Sequence, residues 1–330
     1  MQAHKRFPWF IHSLATNLST TCPAGCKHCL WQARQERIAS AHTFMSHNEM
    51  QALSTFGKLF GIREIVASGG EPFSRPKALE TLSGLCSRAD LGLHAITSAV
   101  WADSMSTAED MLAKTAPWSR IAVSIDDFHQ ESIPLRNCIH VLDAANKLEI
   151  SATIATVDGA ESILEDIPEK IRRKVPVVSQ PLMGMRPLLW KELEGPCINM
   201  AVPYCEDGDK IYGCCGDLCE MGEKSPVFFG RTCDLAQNGI ADERITLIKY
   251  LRLFGPLQIY KDMTGEKPCG TSPFKSQCEL CTATFSRPDA FSRTNALLCN
   301  ERTLSRISFA EAILFSNTRQ DRGSLNHMFS

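Results

Sequence analysis

Six short apolar runs punctuate the first half of the chain: Phe10–Leu18, Ile62–Ala67, Leu91–Thr97, Ile121–Ile125, Ile150–Val157 and Val175–Val178. Each has the length of a strand. Helical patterns lie between them. Ser46-x-x-Glu49 is a capping-box signal that opens a helix to about Phe60. Ser106-x-x-Glu109 opens another, and Pro76–Ala89, Leu135–Leu148 and Ile163–Arg173 complete the series. Strand alternating with helix predicts an α/β fold, with parallel strands and helices outside. Chemistry in such folds gathers at the C-terminal ends of the strands.

The pattern changes after Trp190. Residues 191–285 hold nine of the fifteen cysteines. Asp207-Gly208, between two short β-like runs, reads as a hairpin turn that brings Cys197 and Cys214 together. Residues 286–330 form a tail with a helical run, Ile307–Phe315, and six arginines against four acids. It reads as a solvated docking helix. The division is thus 1–190, 191–285 and 286–330. A chain of 330 residues, 44% hydrophobic, suffices for one large core and an appended domain. A net charge of −2 demands neither nucleic acid nor an anionic membrane, and no apolar run has membrane-spanning length. The basic N-terminus lacks a signal-peptide core. Secreted disulfide scaffolds are normally much shorter than this chain, so its fifteen cysteines point to a reducing cytoplasm.

Cys22, Cys26 and Cys29 form a C-x3-C-x2-C run directly after the first apolar segment. Three soft thiolates suit three irons of a [4Fe–4S] cube, and the missing fourth ligand leaves one iron open. The alternative is zinc or a chance cluster. Ser68-Gly69-Gly70-Glu71-Pro72 follows the second strand, where glycines permit close backbone approach. On these two segments the chain resembles the radical SAM superfamily. The resemblance implies a partial (βα)6 barrel, a [4Fe–4S] cluster on Cys22, Cys26 and Cys29, and S-adenosylmethionine (SAM) chelated at the open iron. It implies a SAM site at Gly69, Gly70, Glu71 and Pro72, with Glu71 suited to the ammonium group.

Later strand ends extend the list. Ser98 stands where relatives often carry Asn, and is expected at the SAM site. Ser124 and Asp126 lie two apart on a strand and so face one side. They suit the ribose hydroxyls or the methionyl part. Otherwise Asp126 and Asp127 cap the next helix, and His129 is a loop residue. Gln180–Arg186 follows the sixth strand and is expected near adenine or substrate.

Two cysteines on a hairpin plus Cys278-x2-Cys281 make a closed four-thiolate set of Cys197, Cys214, Cys278 and Cys281, for iron–sulfur or for zinc. This resembles the auxiliary-cluster domain called SPASM, or its shorter twitch form, and so implies an auxiliary [4Fe–4S] cluster. The interval from Gly208 to Cys214 is one residue longer than the usual G-x4-C. Neighbours on a strand project to opposite faces. With Cys214 as ligand, Cys215 is left as a thiol able to give a hydrogen atom; the converse pairing stays open. Cys205, Cys219, Cys233 and Cys269 are reserve ligands, while Cys86 and Cys138 read as core. Ser124–His129, Asp207–Cys215 and Cys278–Phe285 together are similar to epipeptide-type radical SAM peptide epimerases. That resemblance implies conversion of L- to D-residues in a ribosomally made peptide, with Cys215 as catalytic hydrogen donor. It also implies a one-electron reductant such as flavodoxin or ferredoxin. Gly213, the Ser98-Ala99 pair and the tail depart from the pattern. Only about ten residues precede the first strand, so no leader-binding domain is expected there. The alternatives are a radical SAM epimerase, dehydrogenase or decarboxylase acting on a sugar, an aminoglycoside or another small molecule, and a non-catalytic iron–sulfur or zinc protein.

Overall fold

The structure, a computed structural model, describes residues 3–4, 6–26, 29, 45–180 and 186–320. Most of the segment expected near adenine or substrate, residues 181–185, lies outside the described residues. A short strand, β1 (Ala3–His4), pairs antiparallel with β11 (Ile240–Ala241). The sequence-predicted strands then follow as β2 (Ser13–Ser19), β3 (Glu64–Gly69), β4 (Gly92–Thr97), β5 (Arg120–Ser124), β6 (Ala152–Val157) and β7 (Val177–Gln180). Every adjacent pair from β2 to β7 is parallel. Connecting helices are α1 (His47–Leu59), α2 (Pro76–Ala89), α3 (Met105–Lys114), α4 (Asp127–Gln130), α5 (Leu135–Lys147) and α6 (Glu169–Arg172).

Local chemistry explains the boundaries. The predicted capping box forms: Glu49 N–H donates to Ser46 Oγ at 3.3 Å, and Ser46 N–H donates back to Glu49 Oε2. The start of α3 is corrected. Ser104, not Ser106, is the N-cap and accepts from Thr107 N–H at 3.1 Å, which puts Ser106 inside the helix. The predicted helix Ile163–Arg173 is also corrected. It is a 3-10 turn over Ser162–Asp166 followed by the four-residue α6. Pro168 separates them, because a proline drives the preceding residue out of helical geometry, and Ile167 is extended (ψ 130°).

The hairpin is present as β8 (Tyr204–Glu206) and β9 (Lys210–Tyr212), with Asp207 (φ 53°) and Gly208 (φ 67°) both left-handed at the turn. It joins the same sheet. β8 lies parallel to β2, with Ala15 opposite Tyr204 and Thr16 opposite Cys205. β10 (Phe228–Arg231) extends it, so the nine-stranded order is β10-β9-β8-β2-β3-β4-β5-β6-β7. The cysteine-rich region therefore continues the main sheet. Beyond it run α7 (Thr232–Asn238), α8 (Asp242–Thr264), α9 (Gln277–Phe285), α10 (Ala290–Leu298) and α11 (Glu301–Gln320). α8 breaks at Gly255 (φ 80°), where a Cβ would lie 1.8 Å from the Gly195 carbonyl oxygen.

A single large core fills the space between sheet and helices. Leu14, Ile65, Leu82, Leu93 and Val141 are essentially inaccessible, each such burial contributing about 1.5–3 kcal/mol. Cys86 and Cys138 belong to it, as expected. The tail is not merely solvated. Leu298 and Ile307 are buried, Arg306 stacks over the Phe254 ring at 4.8 Å, and Lys249 pairs with Glu311 at 3.1 Å. Phe309 remains 70% exposed on the other face. Among the described residues no helix is long and apolar enough to cross a membrane.

Candidate functional site

β2 ends at Ser19, and the loop that follows carries Cys22, Cys26 and Cys29. Cys26 is buried, Cys29 half-buried and Cys22 exposed. Cys29 N–H donates to the Cys26 carbonyl at 3.1 Å. Burial pushes the Cys26 thiol up to about 12, helped by the negative charge of Cys22, Cys29 and Asp126. Cys22 is also raised, by burial first, with Glu71 and Cys29 adding to it. Three thiols on one loop are a donor set suited to iron, whose positive charge favours the thiolate form of its ligands.

The glycine motif pins this loop. Gly70 N–H donates to the Ser19 carbonyl at 2.7 Å, and Glu71 N–H donates to the Thr21 carbonyl at 2.8 Å. A Cβ on Gly69 would lie 2.3 Å from Ser19 O, and one on Gly70 would lie 2.2 Å from Thr21 O. Gly69 also sits at φ 108°. The close approach these glycines permit is to the backbone ahead of the cysteines.

Glu71 is 1% exposed and accepts four hydrogen bonds. Oε1 takes Thr97 Oγ at 2.8 Å and Phe73 N–H at 3.2 Å. Oε2 takes Ser98 N–H at 2.9 Å and Ser98 Oγ at 2.6 Å. Burial pushes its carboxyl up, while these donors pull it back. Glu71 thereby ties the end of β3 to the end of β4, and it engages the Ser98 hydroxyl expected at the cofactor. Pro72 opens a 3-10 turn over Pro72–Ser74 and is buried. Phe73 stacks on Trp101 at 4.3 Å between ring centroids.

Ser124 ends β5 and is half-buried. Asp126 is 1% exposed and caps α4: Oδ1 accepts His129 N–H at 2.9 Å, and Oδ2 lies 2.7 Å from His129 Nδ1. Asp126 is thus the N-cap of α4, and Asp127 and His129 lie within that helix rather than as a second cap and a loop residue. The field of Asp126 on Cys26 nevertheless brings β5's end and the cysteine loop into one neighbourhood.

A second thiol group is drawn from the later cysteines. Cys197, Cys214, Cys278 and Cys281 are all buried. Burial drives Cys281 far up, and Cys197, Cys214 and Cys278 add negative charge. Cys278 is raised likewise, by burial first and then by Asp217 and Cys197. Three devices hold the four thiols. Cys197 N–H donates to Leu251 O at 3.1 Å. Cys278 and Cys281 are one helical turn apart on α9, capped by Ser276, whose Oγ accepts Glu279 N–H at 3.0 Å. Cys214 follows Gly213, whose missing side chain admits Ile248: a Cβ there would lie 1.9 Å from Ile248 Cδ1. Among the described residues no three His, Cys, Asp or Glu side chains converge tightly enough for a single metal ion.

Cys215 is half-buried, and the charge of Cys214 acts on Cys278 and Cys281. The reserve cysteines differ in their surroundings. Cys205 is fully buried under the hairpin's acids, and the Cys219 thiol donates to the Cys214 carbonyl at 2.9 Å. Cys233 and Cys269 are exposed. Sequence reasoning misses two residues. Thr97, a strand-end hydroxyl beside Ser98, holds Glu71. Asp217, two residues after the vicinal pair, acts on Cys278 through both its backbone and its charge.

No family model matches the chain. The probable GTP 3′,8-cyclase of Sulfurisphaera tokodaii is 25% identical over 183 residues, 56% of this chain and 47% of that protein. The chain therefore spans about half the length of the curated relative it matches. Among solved structures, native anSMEcpe with bound AdoMet matches with a TM-score of 0.51 at 11% identity, covering 87% of this chain and 98% of that one. A histidine-tagged form of anSMEcpe with bound AdoMet gives 0.51 at 10% identity, over 90% and 98%. The fold resembles that of anSMEcpe, and about half of the chain is similar in sequence to the probable GTP 3′,8-cyclase.

Proposed function

We propose that the chain is a radical SAM enzyme that inverts a C–H centre, epimerising L- to D-residues in a peptide, with Cys215 as hydrogen donor. The observation that supports it best is the pinned cysteine loop: three thiols at the end of a parallel strand, fixed by amides of Gly70 and Glu71. Cys22, Cys26 and Cys29 would hold a [4Fe–4S] cluster, with Gly69, Gly70, Ser124 and Asp126 around SAM. When bound, cluster, SAM and an electron from a flavodoxin- or ferredoxin-type donor supply a 5′-deoxyadenosyl radical. Cys197, Cys214, Cys278 and Cys281 would hold an auxiliary [4Fe–4S] cluster.

The chain's own part is positional. The strap through Gly70 and Glu71 fixes the cysteine loop, and Asp126 fixes the start of α4 beside it. Cys215 Sγ–H then gives a hydrogen atom to the substrate carbon after Cα–H removal, on the opposite face. The S–H bond breaks and a C–H bond forms, leaving a thiyl that one electron from the reductant and one proton restore. Cytoplasmic location fits the thiol-rich composition.

Anaerobic reconstitution with iron and sulfide, followed by SAM and dithionite, should yield about eight irons per chain and 5′-deoxyadenosine. Absence of both a cubane spectrum and 5′-deoxyadenosine overturns the assignment. In deuterated water an epimerised peptide should carry one deuterium at the inverted carbon, whereas a dehydrogenated product would not. Cys215→Ala should keep SAM cleavage and lose inversion; inversion that survives removes Cys215 from its role.

A further inference from the structure

A polar knot lies at the end of the sheet remote from the cysteine loop. Glu64, at the start of β3, accepts Ser13 Oγ at 2.6 Å, Ser119 Oγ at 3.0 Å and an Arg120 guanidinium N–H at 2.6 Å. His94 stands beside it on β4. Its register partners are Val66 on β3 and Arg120 on β5. Residues in register on parallel strands share a face. Leu93 and Ala95, its chain neighbours, are fully buried. Alternation therefore turns His94 to the face opposite theirs, the one shared with Val66 and Arg120.

His94 is 8% exposed, yet neither Nδ1 nor Nε2 reaches a hydrogen-bond partner in the protein. Nearly all buried polar groups are satisfied by protein or by ordered water. The same face carries the small Ala15 in register with Val66. The charges select the character of the ring's partner. Glu64 and Arg120 cancel, so an anion would meet the carboxylate and a cation the guanidinium. Burial, aided by Arg120, pushes the imidazole down to about 4 against the pull of Glu64. A neutral imidazole offers one donor and one acceptor. The partner must be neutral and able both to give and to take a hydrogen bond.

We propose that His94 binds ordered water on the inner face of the sheet, and that this water links its ring to the Glu64–Arg120 pair. Glu64 and Arg120 side chains are 13% and 26% exposed, so the link reaches bulk solvent. The inner face thus acquires a hydrogen-bonded route to the far end of the strands. This inference stands independently of the proposed radical chemistry.

A crystal structure of the full chain at a resolution that orders internal water is the test. The wild type should show at least one water within hydrogen-bond distance of a His94 ring nitrogen. His94→Phe should lose it, and His94→Gln should retain one. In parallel, 15N NMR of the wild type at pH 7 should show one protonated and one bare ring nitrogen, with cross-relaxation to water. Ring nitrogens seated on protein atoms, a ring with no water, or an imidazolium signature at pH 7 overturns the proposal. Should the Phe variant not fold, the wild-type density and NMR still decide.

Discussion

Glu71 illustrates how a single carboxylate organises the site. Each of its oxygens receives one backbone N–H and one hydroxyl. Hydroxyls can rotate, but amide N–H groups cannot. In Glu71→Gln, whichever way the new amide turns, its NH2 faces a backbone donor. A loss of about 1–3 kcal/mol in unfolding free energy is expected, read as a lowered urea midpoint with an unchanged slope. At this scale the sequence was partly legible. Glu71 stood out through its glycines, but its partners Thr97 and Ser98 are twenty-six and twenty-seven residues away and only topology joins them.

His94 gives a pH prediction. Its folded-state value is lowered from 6.5 to about 4, so the unfolded chain binds the proton first. Stability is therefore full above pH 6.5 and falls as pH drops toward 4, by up to roughly 3 kcal/mol from this group. The groups acting on it are Glu64 and Arg120, and His12 feels Glu64 in turn. Glu64 also loses stabilising charge in acid, since Ser13 and Arg120 hold it down against its burial. The part due to His94 is the difference in acid-side slope between wild type and His94→Gln, measured by urea titration at several pH values. Equal slopes would show that the imidazole is not held neutral.

Elements follow from local rules wherever the signal is local. The capping box of α1 and the hairpin turn formed where their residues demanded. α3 and α6 differ because a second serine and an interior proline competed for the boundary. Gly213 shows what local reading misses. It interrupted a familiar pattern in the sequence, and its reason lies on α8: Ile248 Cδ1 occupies the space a side chain would need. Gly213→Ala should cost about 2 kcal/mol. Ile248→Val deletes the offending carbon at a cost of roughly 1 kcal/mol, so the double variant should be more stable than the sum of the singles predicts. Additive effects in thermal unfolding would mean the collision is not the cause.

The whole molecule was legible as a parallel α/β fold because six apolar runs and their helices repeat in order. The junction of its parts was not. Nothing in composition announces that β8 pairs with β2, since that ladder joins residues nearly two hundred positions apart. Loop closure of that length leaves no local trace. Cutting the chain after Trp190 would strip β2 of Ala15 and Thr16's partners on β8 and expose an inner edge. The fragment 1–190 should aggregate in sedimentation velocity runs under conditions where the full chain remains dispersed. A well-behaved monomeric fragment would show that β2 tolerates an open flank.

That shared ladder has a mechanical consequence. The strand that leads into Cys22 is clamped on both flanks, by β3 and by β8. Swinging the cysteine-rich half away from the rest would mean unzipping backbone bonds in the middle of the sheet. The strand that leads into Cys22 and the hairpin that leads into Cys214 are thus held at a separation set by pleat and register, as the spacing of two rivets is fixed by the plate that carries them.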